Sequence, residues 1–359
     1  MRRIVPGLLC LAVLAIPAPA FGGSARNTHE DWARGAIALV TNRGVFPGSP
    51  AQFRPTEPLT QSSLDDALGR LGAGSSGPAA GDAPVSIAAL DAQVIDALGL
   101  RRAARDFYTG AWRAGLKPPA RFGTEVVARL LGLRTDLPVA DDSLELQPQQ
   151  AATRADAAYS LARVLTLGEE PGPSAPVSGA SALLTAEAGG GVQYVKGLAA
   201  TFDLPRLSPW QRQVIQTAVT FIGFPYVWGG EDEKTEHGFD CSGFVWRVFK
   251  LTNYPGAADL STVFGGRTAA DMAGEVAKAE RIKRADLEPG DVLFFGHGPH
   301  SKPAQIDHAA IYLGNGWLIQ SSGQGVALAL LDWNGRGFAW GRRPLAEAGL
   351  EPATATTAA

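Results

Sequence analysis

Apolar residues recur every three or four positions through the first half of the chain, and beyond about Ser208 this pattern gives way to aromatic-rich, strand-like runs. Trp32, Ala36, Ile37, Leu39 and Val40 keep roughly to one helical face, with Gly44 as the stop. Leu64, Leu68 and Leu71 repeat at helical spacing, and the loop between these two helices is fixed by proline in Val45-Phe46-Pro47-Gly48 and Phe53-Arg54-Pro55. A related arrangement recurs near Leu144, where Leu146-Gln147-Pro148 leads into Thr153-Arg154-Ala155-Asp156 and a helix running to about Leu165. Such recurrence predicts a mostly α-helical repeat module over residues 27–168, each unit burying its apolar face against its neighbours.

Residues 169–207 read as a linker. They open with a Pro/Gly/Ser/Ala run to residue 182 and contain a second flexible point at Gly189-Gly190-Gly191. Residues 208–348 then form a second domain, and residues 349–359 an Ala/Thr-rich disordered tail. Within the second domain, Phe244, Val245, Val248 and Phe249 lie near one helical face. Asp240 is the N-cap of that helix, and Cys241 sits in its first turn. Further on, Asp307 to Leu313 is a strand, Gly314-Asn315-Gly316 a turn, and Trp317 to Ser322 the returning strand. The hairpin register has two versions. A two-residue Asn-Gly loop puts Gln320 opposite Ile311, on the face away from His308. A three-residue Gly-Asn-Gly loop puts it opposite Ala310, on the same face as His308 and within diagonal reach.

Composition narrows the function classes. The 359 residues suit two or three domains, and 45% hydrophobic with 19% charged residues excludes a wholly disordered chain. A formal net charge of −3 argues against a nucleic-acid binder, which needs a concentrated basic surface. Arg2 and Arg3, the apolar run Ile4 to Ile16 and the Ala18-Pro19-Ala20 cleavage site read as a secretory signal over residues 1–20. The run is too short to span a bilayer comfortably, and no later stretch is long and apolar enough, so no integral membrane segment is expected after cleavage. An N-terminal anchor is the alternative. A lipoprotein signal at Cys10 is disfavoured by the bulky Leu9 before it.

Cleavage would leave Cys241 as the one thiol of an exported chain, which marks it as reactive unless it is simply buried. At a helix start it meets the positive end of the helix dipole and unpaired backbone N–H groups, which favour the thiolate and can hold an oxyanion. A thiolate needs a base, and the base needs a group to orient it. Of His29, His237, His297, His300 and His308, only His308 lies in a clean strand, and in the favourable register the Gln320 amide holds its ring. His297 and His300 read as solvated loop residues, and Gly290-Asp291 as a turn into a buried strand. Cys241 with these histidines matches no familiar zinc-ligand spacing, and no metal or cofactor is expected.

Two resemblances add to these readings. His29-Glu30-Asp31-Trp32-Ala33, Gly44-Val45-Phe46, Phe53-Arg54-Pro55-Thr56-Glu57-Pro58-Leu59-Thr60 and Ala152-Thr153-Arg154-Ala155-Asp156 resemble S-layer homology repeats. That family binds wall-linked polysaccharide, often through the arginine of its helix-opening signature. In the first repeat the signature has become Thr60-Gln61-Ser62-Ser63, so only Arg154 carries the implied binding role; a helical spacer is the alternative.

Residues about 208–345 resemble the NlpC/P60 family of papain-like cysteine peptidases. The match runs through Tyr226-Val227-Trp228-Gly229-Gly230, Phe239-Asp240-Cys241-Ser242-Gly243-Phe244, Leu287-Glu288-Pro289-Gly290-Asp291-Val292-Leu293-Phe294-Phe295 and His308-Ala309-Ala310-Ile311-Tyr312-Leu313-Gly314-Asn315-Gly316. The resemblance implies an α+β fold with helices packed on an antiparallel sheet. It makes Cys241 the nucleophile, His308 the base and Gln320 the third, polar member, where many relatives have His. Tyr226, Asp240 and Ser242 match pocket-lining positions; Asp240 reads equally as a cap only and Tyr226 equally as core. The implied activity is hydrolysis of peptidoglycan stem peptides outside the cytoplasm, commonly between D-glutamate and the diamino acid. An amidase or acyltransferase on the same fold, or a wall-binding protein with a silent site, are the alternatives.

Overall fold

The computed structural model describes residues 32–73, 81–167, 190–253, 259–333 and 337–350. The expected leader, His29 to Asp31, the 169–182 run and the tail beyond Leu350 lie outside them. Among the described residues no helix is long and apolar enough to cross a membrane.

The first half is helical: α1 (Arg34–Asn42), α2 (Gln61–Arg70), α3 (Ile87–Ala97), α4 (Arg101–Arg113), α5 (Phe122–Leu130) and α6 (Arg154–Thr166). Its organising device is a closed ring of backbone hydrogen bonds. Leu59 N–H donates to Ala152 O (2.8 Å), Ala152 N–H to Val85 O (2.8 Å), and Val85 N–H to Leu59 O (2.9 Å). Each of the three residues is followed by a hydroxyl N-cap, Thr60, Ser86 or Thr153. The cap oxygen accepts from the N–H three residues on, at Ser63, Ala89 and Asp156, which satisfies an otherwise orphaned donor. Three helices thus start from one triangular hub with approximate threefold symmetry. The sequence reveals the units at Thr60 and Thr153. The third, at Val85-Ser86-Ile87, escapes notice because the signature arginine position holds Ile87, which is buried in the core.

Helix α7 (Gly190–Thr201) occupies the later part of the predicted linker. Val192, Val195 and Ala199 fall at helical spacing and are buried, and α7 packs on α4. The glycines that suggest a flexible point stand at the start of this helix. Just beyond it, Phe202 joins Phe107 of α4 and Trp317 in a three-ring cluster with centroids 5.0, 5.1 and 5.9 Å apart. Aromatic pairs of this kind contribute about 0.5–1.5 kcal/mol each beyond their buried area. A single apolar core runs from the helical half into the second half.

The second half contains α8 (Pro209–Thr220), a short ladder of β1 (Glu231–Asp232) with β2 (Gly238–Phe239), α9 (Cys241–Leu251) and α10 (Ala269–Gly274). These precede β3 (Val292–Gly296), β4 (His308–Gly314), β5 (Trp317–Ser322), β6 (Gly325–Leu330), β7 (Gly337–Arg342) and α11 (Pro344–Glu347). The five later strands form an antiparallel sheet in the order β6-β5-β4-β3-β7. This is the expected α+β architecture. Alternation decides its two faces: Phe294, Ala309, Ile311 and Ile319 join the main core, whereas Leu293, Phe295, Ala310 and Leu318 form a smaller cluster on the other side. Helix α9 packs against β4 and β5.

The β4–β5 hairpin combines both predicted registers. Gly314 pairs with Trp317 across a two-residue Asn315-Gly316 turn, both residues having positive φ (50° and 81°). A bulge at Leu313 then inserts one extra residue, so that Tyr312 faces Leu318 and Ile311 faces Ile319. The loop is the short one, yet Gln320 arrives on the face of His308.

Candidate active site

The Asp240 carboxylate caps α9, its Oδ1 accepting the Gly243 N–H at 2.6 Å. Cys241 is therefore the first residue of the helix, as the sequence predicts, and its side chain is buried (8% exposed). Its Sγ lies 4.0 Å from the carbonyl oxygen of Asp307, the residue just before His308. The thiol and the start of β4 thus meet at one corner of the domain.

His308 is 2% exposed, and its ring lies 5.8 Å from that of Phe295 between centroids. Its Nε2 is 2.7 Å from Gln320 Oε1. An amide oxygen only accepts, so this contact selects the tautomer that carries its proton on Nε2 and leaves a lone pair on Nδ1. Gln320 is itself buried, which holds both partners in place.

Tyr226 is half-buried and runs beside Phe239 in a parallel bridge, with Val227 N–H donating to Phe239 O (3.2 Å) and Phe239 N–H to Pro225 O (3.2 Å). Ser321 Oγ donates to Phe239 O at 2.7 Å. The segment around Tyr226 and the end of β5 therefore both hold Phe239, two residues before Cys241. Ser242 Oγ donates to Asp240 Oδ1 (3.0 Å). Six of the seven site residues expected from the sequence, all but Arg154, thus fall around the start of α9 and the His308 corner.

Residues 223–339 match the NlpC/P60 family, and residues 25–62 the S-layer homology domain. Residues 223–339 belong to the NlpC/P60 family. Over 119 residues the chain is 34% identical to the gamma-D-glutamyl-L-lysine dipeptidyl-peptidase of Bacillus subtilis (strain 168), which is 33% of this chain and 34% of that one. Over 116 residues it is 38% identical to murein DD-endopeptidase MepH of Escherichia coli (strain K12), covering 31% and 36%. Among solved structures it is similar to the NlpC/p60 domain of the peptidoglycan hydrolase SagA, with 30% identity, 36% of this chain aligned to 97% of that one, and a TM-score of 0.28. The chain spans about a third of the length of these two curated relatives.

Within the NlpC/P60 domain, Asp291 is buried and bound by Arg343 at 2.9 and 3.0 Å, and it accepts the Glu288 N–H, so it shapes the turn into β3. Burial pushes its carboxyl up, with Arg343 opposing the shift. His297 and His300 are exposed, as predicted; His297 Nδ1 lies 3.3 Å from Gln305 Nε2. Among the described residues no group of His, Cys, Asp and Glu is arranged to hold a metal ion. Arg154 lies apart, in the helical half. Its Nε donates to Phe53 O (2.8 Å) and its Nη1 to Ser63 Oγ (3.2 Å), with the guanidinium over Phe53 and Phe46.

Four further residues act near this corner and carry no clear signal in the sequence. Arg267 bonds Asp240 and Ser242. From the helical half, Asp142 accepts the Trp228 N–H (2.9 Å), and Gln147 Nε2 donates to the carbonyls of Glu233 (2.6 Å) and His237 (3.0 Å). Arg129 also donates to Gly223 O at 2.7 Å. The helical half thus holds the segment that carries Tyr226 at both of its ends. The only signals were a lone arginine after Gly265-Gly266 and polar residues in an irregular stretch.

Proposed function

We propose that residues 208–348 are a cysteine peptidase that hydrolyses peptide bonds in peptidoglycan stem peptides, with the D-glutamate–diamino acid bond as the leading target. The observation that carries this reading is a cysteine at a helix N-terminus, beside the start of the strand whose first residue is a histidine held by Gln320. In this scheme His308 Nδ1 takes the thiol proton, and Sγ attacks the scissile carbonyl. Backbone N–H groups of the first turn of α9 hold the tetrahedral oxyanion. His308 returns the proton to the leaving amine, and water attacks the thioester to release the acyl group.

Gln320 orients the ring but supplies no charge, so the thiolate–imidazolium pair relies on the helix terminus for support. Tyr226, Asp240 and Ser242 line the pocket, Asp240 doing so while it caps α9. The match to the S-layer homology domain supports a location at the cell surface, with Arg154 of the helical half as the candidate contact to wall polysaccharide and the leader directing export. The names of the two curated relatives point to different bonds, a γ-D-glutamyl and a D,D bond. Mass analysis of fragments released from purified peptidoglycan decides. A new amine on the diamino acid with a terminal D-glutamyl carboxyl is the expected product. Cleavage at the D,D cross-link would move the target bond, and transfer of the acyl group to an added amine in place of water would replace hydrolysis by acyl transfer.

A further inference from the structure

A single guanidinium gathers the backbone and side chains around the candidate nucleophile. Arg267 Nη1 donates to Asp240 Oδ1 (3.2 Å) and Ser242 Oγ (2.9 Å). Its Nη2 donates to Asp240 Oδ2 (3.3 Å) and to the carbonyls of Gly229 (3.3 Å) and Gly230 (3.1 Å). Its Nε donates to Glu231. One planar fork therefore ties the loop after Tyr226 to both neighbours of Cys241, a geometry that the point charge of lysine cannot reproduce.

Gly243 makes room for it. A Cβ there would lie 2.0 Å from Gly230 O and 2.5 Å from Arg267 Nη2, so only a bare Cα lets the fork and the loop close on the helix. Burial works against the charge on Arg267, and Asp240 and Glu231 more than offset it, so the guanidinium is held above its ordinary value and stays charged.

We infer that Arg267 is a positioning residue for the nucleophile: it fixes Asp240 and Ser242 at the start of α9 and neutralises the carboxylates beside Cys241, so that the thiolate forms where the helix terminus can support it. The inference rests on Cys241 as nucleophile. Two carboxylates, Asp240 and Glu231, stand at this helix start, and a thiolate there is a third negative charge. Removing the cation leaves them uncompensated and disfavours ionisation of the thiol. Removing only the fork, while keeping a charge, leaves the thiol alone and loosens Asp240 and Ser242.

The two effects separate in experiment. The full-length protein and its Arg267→Met and Arg267→Lys variants are alkylated with iodoacetamide from acid to alkaline pH. The rate is followed by mass spectrometry on the Cys241-containing peptide, which is distinct from that of Cys10. Arg267→Met is expected to move the midpoint of alkylation up by about one pH unit. Arg267→Lys is expected to keep the midpoint close to native while kcat on a stem peptide falls about tenfold or more. Native midpoints together with native kcat in both variants would overturn the inference. If Arg267→Met does not fold, Arg267→Lys decides alone: reduced kcat supports the role, and native kcat and KM reject it. A native protein that hydrolyses no stem peptide, with the alkylation shift still present in Arg267→Met, would sink the peptidase reading and leave the role of Arg267 at the thiol standing.

Discussion

Replacing Gly243 by alanine sets two effects against each other. In a free helix the change is favourable by about 1 kcal/mol, because glycine loses more backbone entropy on folding. Here the added methyl would lie 2.0 Å from the backbone oxygen of Gly230, where 3.0 Å is the closest approach real Cβ atoms show. The gap must open by at least about 1 Å, and the obstacle is backbone, which cannot rotate away as a side chain would. Overpacking of this kind costs about 1–3 kcal/mol, which cancels or outweighs the propensity gain. The displacement falls on the first turn of α9, next to Cys241. A misplacement of ~1 Å there is enough to lower kcat/KM about 100-fold. Stem-peptide hydrolysis and thermal unfolding, measured on the same preparation, read both quantities. Gly243→Ala with native activity and a raised Tm would refute the close approach on which this reasoning stands.

The remaining predictions concern the base and the buried charges. Gln320→Ala frees the His308 ring and is expected to lower kcat about 10- to 100-fold with little change in KM, whereas Gln320→His, which can still hold the ring, retains most of kcat; equal losses in both would remove the orienting role. Glu125 is fully buried 3.1 Å from Arg129 Nη2 with neither oxygen hydrogen-bonded, and burial pushes its carboxyl from 4.5 up to about 7 despite Arg129. Between those pH values the folded chain holds a proton that the unfolded chain has released, so this group's contribution is full below the lower value and is lost as pH rises through the window. Glu125→Gln is expected to abolish that slope and to be more stable than native at pH above about 7, read from urea midpoints on either side of the window; identical slopes in the two proteins would contradict it.

Local chemistry was legible in the sequence where one short segment carried the whole signal. Asp240 before an apolar helical stripe is such a case, and it placed Cys241 in the first turn of α9. The pairing of Gln320 with His308 was also legible, but through a different turn. A bulge at Leu313 does what a three-residue loop was expected to do, and a bulge is set by the whole sheet more than by the three residues of a turn. Helix α7 was hidden because its opening glycines read as linker, while its apolar spacing pays off only against α4. The third unit of the helical hub was hidden because its cap is Ser86 in place of threonine and Ile87 replaces the signature arginine. Arg267 was illegible for a simpler reason: it acts on Asp240 across 27 residues of chain, and nothing local says where a long side chain will reach.

In the proposed mechanism one sulfur does the chemistry. The most direct test is the rate at which Cys241→Ala releases soluble muropeptides from purified peptidoglycan, compared with the native protein at equal folded concentration. Substitution leaves the cap at Asp240 and the His308–Gln320 pair in place, so the account predicts release reduced to background with an unchanged melting profile. Release at the native rate would contradict it.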